Sequence, residues 1–191
     1  MPLLAVYDAC VLHPAPIRDL LLRLAVAGLV RARWTDRILD ECFASIRRVR
    51  PDLPPERLVR TRGLINRAVP DCLVGRYERL VKGLKLPDPD DRHVLAAGIR
   101  AKAQVIVTFN LADFPDSELS RFGIEARHPD EFVSGLLSLE PDAVCTAVRE
   151  QAAALRNPPQ SIAQLLDTLH ACGLPRSSAR LRELLGPDVT R

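Results

Sequence analysis

Two apolar runs stand out along the chain, and both end at polar residues. Leu3-Leu4-Ala5-Val6-Tyr7 stops at Asp8, and Gln104-Val105-Ile106-Val107-Thr108 runs to Phe109-Asn110. Continuous apolar runs of this length suit strands buried on both faces. Residues 29–34 and 124–127 read as shorter strands. Between them the spacing changes to that of helices. Pro14 and Pro16 introduce a helix to about Gly28, with Leu20, Leu21, Leu24 and Ala27 on one face. Thr35 is an N-cap for a helix over 36–49, whose stripe is Ile38, Leu39, Cys42, Phe43, Ile46 and Val49. A further helix is expected over 55–67. A turn or minor strand at 71–74 precedes another helix ending near Gly83. Asp88 opens a helix that is apolar on nearly every side from Val94 to Ile99, and Pro129 opens one that reaches Leu139. Strand alternating with helix predicts a parallel sheet covered on both faces, a three-layer α/β/α domain over 1–138. Residues 139–191 carry no strand pattern. They read as a helical C-terminal extension, with helices over 140–156 and 161–185 around Asn157-Pro158-Pro159-Gln160.

Composition narrows the chemistry. The five cysteines, at 10, 42, 72, 145 and 172, form no close pairs, and their number is odd. That argues against a zinc site or a disulfide framework. The four histidines are scattered too. The apolar stretch at 20–24 is broken by Arg23 and is too short to span a bilayer. No basic leader precedes the first strand, so a cytoplasmic protein is expected. The net charge of +3 hides an asymmetry: residues 31–67 hold ten arginines against five acids, whereas residues 86–130 hold five basic residues against eight acids. A basic flank beside an acidic pocket fits nucleic acid held next to a metal site. Solvated helix faces would explain the arginines equally well.

The acids fall where strands should end and helices begin. Asp8 follows the first strand. Glu41 sits at the border of the apolar stripe of its helix. Asp88, Asp90 and Asp91 open the buried helix, and Asn110 and Asp113 follow the best strand. Sites in open parallel sheets form at the carboxyl ends of strands, and oxygen donors gathered there suit Mg²⁺ or Mn²⁺. Each acid also has a plain structural explanation. Asp8 can end a strand, Glu41 can be an ordinary surface glutamate, and Thr108, Asn110 and Asp113 can be turn residues. Asp88-Pro89-Asp90-Asp91 can be no more than a helix cap with dipole-complementing acids. It is their joint placement that points to metal-dependent phosphodiester hydrolysis. A phosphatase of the haloacid-dehalogenase type would need a second Asp where Cys10 stands.

Four segments resemble the PIN-domain ribonucleases, in particular the toxin-like branch that includes VapC: Tyr7-Asp8-Ala9-Cys10-Val11-Leu12, Thr35 through Glu41, Leu86 through Ala97, and Val107 through Pro115. The resemblance implies a carboxylate pocket for Mg²⁺ or Mn²⁺ formed by Asp8, Glu41, Asp91 and Asp113. Asp90 is the alternative to Asp91, and Thr108 and Asn110 are secondary candidates for orienting water or phosphate. Asn110 stands where the family often has an Asp, so Asp113 is the candidate for that role. The resemblance further implies an RNA substrate, a cognate antitoxin and a homodimer. Arg37 and Arg92 are candidates for phosphate contact. A non-catalytic PIN-like RNA-binding or protein-interaction module is the competing expectation, and Asn110 is its best support.

Overall fold

A computed structural model describes residues 2–186. Four parallel strands form one sheet in the order β2-β1-β3-β4: β1 (Leu3–Tyr7), β2 (Val30–Arg33), β3 (Val105–Val107) and β4 (Glu125–Arg127). The register pairs Ala5 with Ala32 on one side and with Val105 on the other. The central strands β1 and β3 carry the two apolar runs, as strands covered on both faces must.

The first crossover holds α1 (Ala9–Leu12) and α2 (Ala15–Val26). The second holds α3 (Asp36–Val49), α4 (Pro55–Ala68), α5 (Glu78–Val81) and α6 (Arg92–Ala101), and the third holds α7 (Asp116–Leu119). Thr35 caps α3 as its sequence position suggests, its hydroxyl accepting from Ile38 N at 3.0 Å. Residues 71–74 supply a single parallel bridge, Leu73 to Trp34. Val94 through Gly98 of α6 are all buried, consistent with a helix apolar all round. The largest core side chains interlock beneath the sheet. Tyr7 stacks on Trp34 at 6.3 Å and meets Phe132 edge-on at 6.2 Å, and Trp34 Nε1 donates to Asn66 Oδ1 at 2.9 Å.

Four C-terminal helices follow: α8 (Pro129–Leu139), α9 (Pro141–Ala154), α10 (Ile162–Ala171) and α11 (Pro175–Leu185). α9 and α10 pack on α2, and α11 packs on α8. Three expectations need correction. The single helix foreseen over 161–185 is two, because Gly173 turns the chain at φ +103° and Pro175 restarts it. The helix ending near Gly83 shrinks to the single turn of α5. Asp88 opens a 3₁₀ turn, Pro89–Asp91, and the α-helix begins only at Arg92. The last five residues of the expected 139–191 extension, 187–191, lie outside the described residues.

Candidate active site

The sheet order changes direction at β1, which has β2 on one side and β3 on the other. A crevice opens at the carboxyl edge of such a switch point. Asp8 and Thr108 are the first residues beyond β1 and β3. Asp8 N donates to Val107 O at 3.1 Å and Thr108 N to Arg127 O at 3.0 Å, so the ladder holds both side chains level at this edge.

Asp8 is almost fully buried yet well supplied with donors. Oδ1 accepts from Ala9 N at 2.6 Å, which caps α1, and Oδ2 accepts from Thr108 Oγ1 at 2.8 Å. The Cys10 thiol donates to the same Oδ2 at 3.2 Å. Burial first, and then the charge of Asp8, push that thiol up to about 12. It therefore stays protonated and acts as a donor, not a nucleophile. Thr108 Oγ1 also accepts from Asn110 N at 3.0 Å, and Phe109 N donates to Cys10 Sγ at 3.3 Å. One compact network thus ties the loop after β3 to the carboxylate after β1.

Glu41 reaches the same edge from α3. Arg37, one turn earlier, donates to Oε1 at 3.0 Å, and His93 Nε2 lies 3.0 Å from Oε1 and 3.1 Å from Oε2. Burial alone would raise the Glu41 carboxyl. The His93 hydrogen bond and charge, joined by those of Arg37, outweigh it and hold the group below its usual value. His93 is buried, and its Nδ1 has no partner. The Glu41 carboxylate can only accept, so the ring donates to it from Nε2.

Asp91 ends the 3₁₀ turn and is half-buried. Burial, followed by the negative charges of Asp8, Asp113, Asp88 and Glu41, raises it from 3.8 to about 7. Those neighbours define the convergence: carboxylates from three other parts of the chain, with Asp88 at the start of its own turn, act on one group. Asp90 is exposed, and Asp88 is occupied in capping, its Oδ1 accepting from Asp90 N at 2.8 Å. Asp113 is half-buried in the 3₁₀ turn Leu111–Asp113, and Asn110 is exposed. Arg37 is engaged with Glu41, and Arg92 is half-buried with Nε unpartnered. Asp36 and Asp40 face away and pair with Arg62.

Among the described residues, no three His, Cys, Asp or Glu side chains stand close enough as placed to hold one ion. The chemistry of the set nonetheless fits a hard divalent cation. Its donors are carboxylate oxygens, and burial together with the neighbouring carboxylates raises Asp91.

Residues 5–112 match the model of the PIN domain. The chain is a PIN-domain protein. Its C-terminal helices are matched separately, residues 129–183 fitting the VapC50 C-terminal domain. A curated protein of Mycobacterium tuberculosis named "Putative ribonuclease VapC50" is 42% identical over 94 residues, covering 49% of this chain and 55% of that relative. The chain thus spans about half the length of the curated relative it matches. No solved structure matches it. Asp8, Glu41 and Asp113 lie near enough to Asp91 to act on its charge. His93 and Cys10 join them, although neither is prominent in the sequence as a site residue. A histidine inside an otherwise apolar helix is the signal that could have found the first.

Proposed function

We propose that this PIN-domain protein is a Mg²⁺- or Mn²⁺-dependent endoribonuclease and the toxin of a type II toxin–antitoxin pair acting in the cytoplasm. The observation that carries the nuclease reading is Asp91, raised to about 7 by burial and by Asp8, Asp113, Asp88 and Glu41 together. Carboxylates that cannot comfortably ionise side by side form a site for a cation. Asp8 and Asp91 would be its main holders, with Glu41 and Asp113 completing the set. A divalent ion there supplies Lewis acidity that activates water and offsets phosphate charge.

The chain's own residues prepare for that chemistry. Thr108, Cys10 and Ala9 N orient Asp8. Arg37 and His93 keep Glu41 ionised and aimed. The RNA substrate draws support from the name of the relative, a ribonuclease, and the antitoxin partner is what the resemblance to the toxin-like branch implies. No helix among the described residues is long and apolar enough to cross a membrane.

The test is cleavage of a panel of transfer and single-stranded RNAs in Mg²⁺ or Mn²⁺, with and without chelator. Cleavage that the chelator abolishes is expected. Binding of RNA without turnover in either metal would favour a non-catalytic RNA-binding module and overturn the proposal.

A further inference from the structure

We propose that Gly173, in the turn between α10 and α11, is a positioning residue for the catalytic loop. It seats the Phe109 ring and thereby holds Cys10 and Thr108 on Asp8. This inference rests on the nuclease reading above and adds a role for the C-terminal helices within it.

The path is short and continuous. Gly173 lies at φ +103°, and a Cβ built there would meet Phe109 Cε1 at 3.0 Å. The ring therefore sits as close to the turn as a residue without a side chain permits. From the other direction the His128 ring meets Phe109 edge-on at 5.1 Å. Between these two supports, Phe109 N points at Cys10 Sγ at 3.3 Å, the same sulfur that donates to Asp8 Oδ2. The residues on either side of Phe109 belong to the site as well, since Thr108 Oγ1 donates to Asp8 and accepts from Asn110 N.

The turn is itself anchored. Asp130, a buried carboxylate on α8, accepts from Ser177 N at 2.8 Å and Arg176 N at 3.0 Å. It thus satisfies the open amides at the start of α11. Ser177 Oγ returns a hydrogen bond to Asp130 O at 3.0 Å, and His128 Nδ1 accepts from Asp130 N at 3.2 Å. Residues 128–130 therefore fix both the start of α11 and one edge of Phe109. With α11 anchored in this way, the turn cannot drift from the ring without breaking buried hydrogen bonds. A displacement of about 1 Å at a catalytic group can cost about 100-fold in rate, so this contact can govern turnover.

The test compares Gly173→Ala, Phe109→Leu, the double variant and the control Gly135→Ala. Gly135 lies on α8, and an added Cβ there would meet nothing within 4 Å. In Gly173→Ala we expect kcat to fall about 10- to 100-fold with KM little changed. Amide exchange at Phe109 and Asn110 should quicken. The smaller leucine side chain of the double variant makes room for the methyl, so most of kcat should return. The melting temperature should stay low, because the strain at positive φ remains. Gly135→Ala should match wild type. Unchanged kcat and unchanged exchange in Gly173→Ala, or no recovery in the double variant, would overturn the inference. If wild type cleaves no RNA, the nuclease reading fails. The seating of the loop is then decided by exchange at Phe109 and Asn110 alone.

Discussion

Asp91 makes the apo protein sensitive to pH in an unusual direction. Its carboxyl stands at about 7 in the folded chain against 3.8 when free. A raised folded value means that the native state binds the proton more tightly than the unfolded chain does. The associated stability is fully present below about pH 4 and is lost as pH rises through about 7. The ceiling over that whole range is about 4 kcal/mol, at 1.36 kcal/mol per tenfold change. Between about pH 5.5 and pH 8, about 2 kcal/mol of it is lost. Asp91 is only half-buried, so solvent screening reduces this to about 1 kcal/mol. For a chain of this size that is a fall of about 2–4 °C in melting temperature. The assay is thermal unfolding in chelator at both pH values, comparing wild type with Asp91→Asn, so that the histidines common to both proteins cancel. Wild type should lose about 2–4 °C more than the variant between the two conditions. An equal loss in both proteins, or a larger loss in the variant, would refute the convergence of carboxylates on Asp91.

Thr108→Val removes the buried hydroxyl that donates to Asp8 Oδ2 and accepts from Asn110 N. It should cost about 1–3 kcal/mol in denaturant unfolding and lower kcat about tenfold, whereas Thr108→Ser should restore both. Asp130→Ala strips the acceptor from Arg176 N and Ser177 N. Exchange at those two amides should rise sharply, with a stability loss of about 1–3 kcal/mol; unchanged protection there would contradict the anchoring of α11.

Much of the fold could be read because the two central strands are buried on both faces and so appear as unbroken apolar runs. The polar residue that ends each one, Asp8 after β1 and Thr108 just beyond β3, marks the sheet edge where the site lies. Thr35 and Pro55 mark helix starts by chemistry local to a few residues, and both helices begin where expected. What could not be read depends on contacts between distant segments. The sequence favours Asp91 but leaves Asp90 open as its alternative. The 3₁₀ turn at Pro89–Asp91 leaves Asp90 in solvent and brings Asp91 under the charges of Asp8 and Asp113. The grip of His93 on Glu41 spans 52 positions, a meeting of distant segments that no local pattern encodes. The break at Gly173 was within reach. Cys172-Gly173-Leu174-Pro175 carries a helix stop followed by a helix start, and apolar residues on either side masked it.

The most direct test of the account is a Mn²⁺ titration followed by electron paramagnetic resonance, comparing wild type with Asp8→Asn and Asp91→Asn, each checked for folding. The account predicts saturable binding in wild type, weakened at least about tenfold in both variants. Equal binding in all three folded proteins, or none in wild type, would contradict the claim that these carboxylates form a divalent-cation site.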